Sequence, residues 1–299
     1  MVPLVSSLCY GPLGYCQVPR TWWKSLLKAY GLLDPEYPPY SNMLDQWWME
    51  GFGIDDEEML EYVTSEKPNY LAFENWVEET AKRKPNPVGR DGWNTLIETR
   101  IHRPIKFYSI TEALGLEAAT DLKSAVVLNN MEDWHYFHER DWPEVLSLPG
   151  AAIPLISSLD YGRLGVCQLP RTWLKVILEA KAVLHSDYPG CGDGLDAKVL
   201  KTLGLDRDQT VEFLQSETPS YLVFESWVLG QKHGRIDQES VKSWNHYIQT
   251  REHQDEKRKS IFDYLGLPDD GNMISAVILN HLEDWEYAYR KLKSSTMYA

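Results

Sequence analysis

Two pairs of basic residues stand four positions apart, on segments that we expect to be helical. They are Arg20 with Lys24 and Arg171 with Lys175, and residues at i and i+4 lie on the same face of an α-helix. An arginine close behind a proline at a helix start can hold an anion. One interpretation is therefore a cationic site that binds a carboxylate or phosphate, with a lysine able to form a Schiff base. The alternative is a structural ion pair.

Groups that could move protons accompany these cations. Asp45 has an equivalent in Asp196, and His102 and His253 are the only two histidines in equivalent positions. Histidine titrates near neutral pH, which suits acid-base catalysis. We predict Lys24, Asp45 and His102 as catalytic residues. The alternatives are an ion pair for the aspartates and a solvated surface turn for the histidines.

Some tryptophans of the first half have no counterpart in the second. Trp23, Trp47 and Trp48 stand where the second half has leucine, lysine and valine. Two adjacent residues of a helix cannot both point inward. Large aromatic side chains beside cations indicate a pocket for an aromatic or apolar molecule, and we predict these six residues as substrate-binding: Arg20, Trp23, Trp47, Trp48, Arg171 and Lys175. The alternative is a tryptophan-rich protein interface.

Other polar residues give weaker signals. Glu74 and Glu225 occupy equivalent positions, where apolar surroundings would raise a carboxyl pKa, but we favour the alternative that they cap helices or pair with Arg20 and Arg171. Cys16 and Cys167 could be nucleophiles, although buried cysteine is a common core residue. The sequence has no glycine-rich phosphate loop, serine nucleophile elbow or zinc motif, so we expect no metal and no cofactor.

All of these residues belong to a sequence that occurs twice. The segment that begins at Tyr10-Gly11 returns at Tyr161-Gly162, and the offset stays constant to the Glu-Asp-Trp near the end of each copy. A repeat of about 150 residues has the size of a domain with its own core. We predict a first repeat domain at 1–146, a linker at 147–151 and a second repeat domain at 152–299.

The elements that position these residues read as short helices. Pro19 and Pro170 suit a first helical turn, and Asp55 and Asp206 suit N-caps. We predict a mainly α fold with six helices per copy, although the run at 124–129 could also be a buried strand. Two similar domains on a short linker predict two homologous α-helical domains packed about a pseudo-two-fold axis.

The composition limits the partners. A formal net charge of -14 and a pI near 5.0 oppose binding to nucleic acid, which requires clustered Lys and Arg. No run approaches the roughly 18 apolar residues of a membrane-spanning helix. We expect a cytoplasmic protein with a small-molecule substrate and without a membrane partner, and self-association stays open.

Each copy resembles a bacterial domain family of unknown function, number 5069. The matching elements are Leu13-Gly14, Pro19-Arg20, Lys24, Leu44-Asp45, Gly53-Ile54-Asp55, Trp76-Val77, Trp93-Asn94 and Glu132-Asp133-Trp134, with their repeat counterparts. The resemblance covers nearly the whole chain and implies a tandem pair of a domain that is single in its relatives. The family usually has Asp before the lysine, where this chain has Trp23 and Leu174. The resemblance implies no activity.

By elimination, we predict a cofactor-independent enzyme that acts on a small apolar or aromatic metabolite with a carboxylate or carbonyl group. Condensation, cyclisation or isomerisation fits cations that polarise oxygen beside groups that move protons. The alternative is a non-catalytic binding or scaffold protein that presents the surface shared by both halves.

Overall fold

The computed structural model describes residues 1–116, 121–142 and 152–294. In this part of the chain the fold is mainly α, with fourteen α-helices, one short π-helix and isolated β-bridges. The predicted fold class is confirmed. The linker predicted at 147–151 lies outside the described residues.

Each repeat supplies seven α-helices rather than the six predicted. Those of the first repeat are α1 (Val18–Ala29), α2 (Leu44–Phe52), α3 (Asp56–Glu66), α4 (Tyr70–Thr80), α5 (Pro87–Thr99), α6 (Pro104–Ala113) and α7 (Ala125–Tyr136), which the π-helix Phe137–Asp141 continues. Those of the second are α8 (Leu169–Ala180), α9 (Leu195–Thr202), α10 (Arg207–Glu217), α11 (Tyr221–Gln231), α12 (Gln238–Thr250), α13 (Asp255–Leu265) and α14 (Ala276–Ser294). Every helix of the second repeat begins 151 residues after its equivalent in the first.

Local sequence accounts for the helix starts. Pro19 and Pro170 lie in the first turns of α1 and α8, where a missing N–H costs nothing. Asp55 caps α3 by accepting hydrogen bonds from the first-turn amides, and Asp206 does the same for α10. The ambiguous run at 124–129 is helical because Ser124 caps α7 through Val127 N.

The compact units of the chain combine parts of both repeats. One unit, called unit 1 here, consists of Met1–Thr99 and Glu252–Ala299, and unit 2 consists of Arg100–Arg251. Unit 1 therefore holds α1 to α5 with α13 and α14, and unit 2 holds α6 to α12. Each unit therefore contains one helix of each of the seven equivalent pairs. The helices equivalent to α1 to α5 come from one repeat, and the helices equivalent to α6 and α7 come from the other.

Aromatic contacts in the two cores explain this exchange. In unit 1, α14 packs on α4, and the Trp285 ring lies 4.5 Å from that of Tyr70. In unit 2, α7 packs on α11, and Trp134 lies 4.6 Å from Tyr221. These four rings are buried and equivalent in pairs. The final helices thus complete the core of a unit whose first helices belong to the other repeat.

The repeat domains 1–146 and 152–299 remain a prediction about sequence organisation, and the pseudo-two-fold packing of the two halves also stays a prediction. Each unit has its own core, but no core is assembled from one repeat alone. Along the described ranges, no helix has the length and apolar character that crossing a membrane requires.

Candidate functional site

Lys24 and Asp45, two of the predicted catalytic residues, form a buried ion pair in unit 1. Lys24 Nζ lies 2.5 Å from Asp45 Oδ2. The same carboxylate accepts hydrogen bonds from Thr21 Oγ1 at 2.5 Å, Gln17 Nε2 at 2.6 Å and Ser41 N at 2.7 Å. Asp45 is fully buried. Its oxygens are therefore occupied by protein donors.

The electrostatics of Asp45 follow from these contacts. Burial alone would raise the pKa of Asp45, but the Lys24 ammonium and the hydrogen bonds from Lys24, Thr21 and Gln17 together hold this pKa below its usual range. The carboxylate thus stays ionised at neutral pH. A permanently ionised and fully bonded carboxylate is suited to holding α1 and α2 together.

Unit 2 repeats this arrangement. Lys175 Nζ lies 2.5 Å from Asp196 Oδ2, and Thr172 and Gln168 donate to Asp196 Oδ1 at 2.7 and 2.9 Å. The backbone N–H of Gly192 donates to the same carboxylate. The geometry in both units is that of the structural alternative, an ion pair that joins two helices.

The two arginines bind the segment that precedes their helix. Arg20 is buried and donates from Nη1 to the carbonyl oxygens of Pro3 and Val5, at 2.9 and 2.8 Å. Arg171 makes the equivalent bonds to the carbonyls of Pro154 and Ile156. These contacts fix the extended chain at the start of each repeat. In both repeats they direct the guanidinium toward protein oxygens.

Trp23, Trp47 and Trp48, the three tryptophans predicted to bind substrate, occupy different environments. Trp48 is buried, and its Nε1 donates to Thr21 Oγ1 at 2.9 Å. Trp23 is buried beside Trp22, with ring centroids 5.4 Å apart, so two adjacent residues of α1 are both buried, contrary to the expectation from the sequence. Trp47 is 37% exposed. Two of the three are therefore core residues, and only Trp47 presents its ring to solvent.

His102 belongs to unit 2, whereas Lys24 and Asp45 belong to unit 1. Its Nε2 donates to Asn129 Oδ1 at 2.8 Å. Burial, together with the charge of Arg100, lowers the pKa of His102 to about 4, so the imidazole is neutral at neutral pH. His253 makes the equivalent contact to Asn280. In the first repeat this histidine joins the segment after α5 to α7, and in the second it joins the segment after α12 to α14.

The thiols of Cys16 and Cys167 are buried. Burial raises the pKa of each to about 12, which leaves almost no thiolate to act as a nucleophile. Among the described residues, no group of three or more His, Cys, Asp or Glu side chains has metal-binding geometry.

Glu74 lies in a buried cluster of unit 1, and unit 2 has an equivalent cluster around Glu225. Its Oε1 accepts from Tyr70 Oη at 2.8 Å and from Leu13 N at 3.1 Å. Gly11 packs so closely that an added Cβ would overlap the Tyr70 ring and the Glu74 carboxyl. Burial raises the pKa of Glu74 to about 7, so this carboxyl changes its charge near neutral pH.

The equivalent carboxyl in unit 2 has a cationic neighbour. Arg163 Nε donates to Glu225 Oε2 at 3.2 Å, and the residue equivalent to Arg163 in the first repeat is Pro12. Burial raises the pKa of Glu225 as well, but the Arg163 guanidinium acts against that rise. Comparing positions 12 and 163 would have revealed this difference, which the sequence analysis missed.

Three exposed apolar side chains that the sequence analysis also missed lie on α6 and three residues before its start. Ile101, Ile105 and Tyr108 are 65%, 82% and 55% exposed, and Ile105 and Tyr108 share a helix face. Their equivalents in the second repeat are the charged residues Glu252, Glu256 and Lys259. We call these three apolar residues the α6 stripe. The difference between repeats at these positions is a signal that was present in the sequence.

Unit 2 also contains two cavities that differ in volume and in how open they are to solvent. An open groove of about 870 Å³ runs past Arg207, whose guanidinium is already bonded to Cys191 O at 2.5 Å and Asp193 Oδ1 at 2.8 Å. A smaller and more enclosed cavity of about 150 Å³ lies between the end of α6, α7 and the start of α11.

Comparison with known proteins adds no family to these observations. No family model matches the chain. No curated protein matches it, and no solved structure does. The resemblance to domain family 5069 therefore stays a prediction.

Proposed function

We propose that the protein is a non-catalytic binding protein whose α6 stripe docks an acidic amphipathic helix of a partner protein. The observation that carries this proposal is the exposure of Ile101, Ile105 and Tyr108 at positions where the other repeat has charged residues. Exposed apolar side chains that form a patch mark interaction surfaces. A helix laid on such a surface buries apolar residues at i, i+3, i+4 and i+7.

The role of the buried ions supports binding over catalysis. Asp45 and Asp196 are surrounded by equivalent donors, and Arg20 and Arg171 bind equivalent backbone carbonyls. A diverged active site would be expected to differ between the repeats, whereas these contacts are the same. The surface of α6, in contrast, is one of the places where the repeats differ.

The charge of the partner follows from the residues around the stripe. Residues 99–111 contain Arg100, Arg103 and Lys106 and no acidic residue, and the nearest acidic residues along the chain are Glu98 and Glu112. Arg103 and Lys106 are exposed, although Lys106 also contacts Glu132 at 2.9 Å. A second copy of this chain would bring a net charge of -14 against another of -14, and that repulsion disfavours self-association. An acidic helix on a protein of lower total charge fits better.

The test uses a designed helical peptide with leucines at i, i+3, i+4 and i+7 and glutamates elsewhere. Fluorescence anisotropy should detect saturable binding of this peptide to the full chain. Ile105→Glu, which copies Glu256 of the second repeat, should weaken binding by at least about tenfold, since each 1.4 kcal/mol corresponds to a factor of ten. A version of the peptide with lysines in place of glutamates should not bind.

Val88→Glu is the matched control. Val88 is 83% exposed and its repeat equivalent is Glu239, so this variant adds the same charge outside the stripe and should bind normally. Equal affinities of the Ile105→Glu and Val88→Glu variants for the peptide would contradict the proposal. A concentration-dependent dimer that Ile105→Glu abolishes, in sedimentation velocity, would assign the stripe to a second copy instead.

A second candidate function is a cofactor-independent cytoplasmic enzyme for a small apolar or aromatic carboxylate or carbonyl compound. One observation favours it: Glu74 has a pKa raised by burial to about 7 and a tyrosine partner, without the arginine that accompanies Glu225. A carboxyl of this pKa is suited to transferring protons at neutral pH. Turnover of aromatic acids and keto acids that is lost in Glu74→Gln and kept in Glu225→Gln would support the enzyme. Absence of turnover, or equal loss in both variants, would exclude it.

A further inference from the structure

The smaller cavity of unit 2 is lined by three apolar side chains and by three that carry a polar group. Its volume is about 150 Å³, and its lining residues are Leu114, Met131, His135, Ser220, Tyr221 and Leu222. Met131 and His135 are four residues apart on α7 and so face the cavity together. Ser220 is the N-cap of α11. Ligand sites of proteins combine apolar walls with a few polar groups in this way.

Unit 1 has a hydrogen bond between side chains at the equivalent place. The residues equivalent to Ser220 and His135 are Asn69 and Glu286, and Asn69 Nδ2 donates to Glu286 Oε2 at 3.1 Å. Arg290 Nε also contacts Glu286, at 2.7 Å. The repeats have therefore diverged at both positions, and in unit 2 the substitutions accompany a cavity.

The size and polarity of the cavity select the ligand. An apolar protein cavity of about 150 Å³ holds a benzene ring. His135 and Ser220 can each form a hydrogen bond with one polar group on such a ring. Glu139 Oε2 lies 3.3 Å from His135 Nε2, and this carboxylate disfavours an anionic group beside the imidazole.

We propose that unit 2 binds a small neutral monocyclic aromatic molecule with one hydroxyl group, seated between α7 and the start of α11. The ring contacts the side chains of Leu114, Met131 and Leu222, and the hydroxyl bonds to His135 or Ser220. This site is separate in residues and chemistry from the α6 stripe and does not depend on it.

Phenol is the probe, and the full chain is used. Saturation-transfer NMR and titration calorimetry should show saturable binding of phenol to the wild-type protein. The double variant Ser220→Asn with His135→Glu, which installs the pair of unit 1, should weaken binding by at least about tenfold because the new side chains bond to each other, as Asn69 and Glu286 do, and not to the hydroxyl. The reciprocal double variant Asn69→Ser with Glu286→His leaves the unit 2 site intact and should keep the wild-type affinity.

Two results would overturn the proposal: no saturable phenol binding to the wild-type chain, or the same affinity in the wild type and the Ser220→Asn with His135→Glu variant. If that variant does not fold by circular dichroism, Met131→Phe replaces it as a change that fills the cavity from the apolar side. Phenol binding unchanged by Met131→Phe would equally exclude this cavity as the site.

Discussion

At the scale of single residues, the two repeats use the same buried charges for the same structural purpose. Asp45 receives donors from α1 and from the loop before α2, and Lys24 neutralises it. A buried ion pair of this kind stabilises little by itself, but removal of one partner leaves the other charge uncompensated. The residues predicted to be catalytic can therefore be tested through stability.

We expect Asp45→Ala to lower the free energy of unfolding by about 3 to 5 kcal/mol, because Lys24 is left buried without its partner. The double variant Lys24→Met with Asp45→Leu should lose less than Asp45→Ala alone. Urea denaturation followed by circular dichroism measures both. A loss under about 1 kcal/mol in Asp45→Ala would contradict a structural role.

Glu74 predicts a pH dependence of stability. Its pKa in the folded chain is raised to about 7 from an ordinary value of 4.5. The folded state therefore binds more protons than the unfolded state between these two pH values, and stability falls as pH rises through this window. In Glu74→Gln this fall should be smaller by up to about 3 kcal/mol, since one pKa unit corresponds to about 1.4 kcal/mol.

The measurement is the free energy of unfolding at pH 5 and pH 8 for the wild type and for Glu74→Gln. Glu225→Gln is the matched comparison, and its effect on the pH dependence should be smaller because Arg163 already opposes the rise in pKa. Identical pH profiles for the wild type and Glu74→Gln would show that Glu74 does not titrate in this window.

At the scale of elements, some equivalent helices of the two repeats begin with the same capping residue, and some differ in their exposed side chains. Asp55 and Asp206 cap α3 and α10 in the same way, whereas α6 and α13 differ in the apolar or charged character of their exposed faces. A cap is needed wherever the helix begins, because its first amides lack partners. An exposed face has no such requirement, so it can diverge to bind a different partner.

The two capping aspartates predict equal losses of stability when each is replaced. Asp55→Ala and Asp206→Ala should each destabilise the chain by about 1 kcal/mol, because the amides of the first turn lose their acceptor. Glu61→Ala, an exposed change in the middle of α3, should alter stability by under about 0.5 kcal/mol. Thermal denaturation of the three variants checks this order. A Glu61→Ala effect as large as that of Asp55→Ala would argue against capping.

At the scale of the whole molecule, the final two helices of each repeat belong to the unit built on the other repeat. Trp134 of the first repeat packs against Tyr221 of the second, and Trp285 of the second packs against Tyr70 of the first. The stability of each unit therefore depends on residues from both repeats.

Amide hydrogen exchange can test whether the final helices of each repeat pack in the unit built on the other repeat. Trp134→Leu should cost about 2 to 3 kcal/mol of local stability and increase amide exchange in α11 while α4 keeps its protection. Trp285→Leu should give the reverse pattern. Mass spectrometry of the exchanged protein resolves the two helices. Faster exchange in α4 of Trp134→Leu would instead mean that the first repeat packs on itself.

The sequence by itself determined the repeat, the mainly α fold and the starts of α1, α3, α8 and α10. These features depend on local signals such as Pro19 and Asp55, whose effects extend over one turn of helix. It also offered an ion pair as the alternative role for Lys24 and Asp45, but several interpretations of these residues stayed open, because the donors around Asp45 come from separate parts of the chain.

Only the tertiary structure decided which helices complete each core. Trp134 and Trp285 are equivalent, and so are Tyr70 and Tyr221, so the tryptophan of α7 could pack against the tyrosine of α4 or that of α11. Because the residues are identical in the two repeats, the sequence does not show which of the two tyrosines Trp134 contacts. Likewise, the exposure of the α6 stripe and the cavity beside His135 depend on what packs against those residues, and packing is a property of the folded chain.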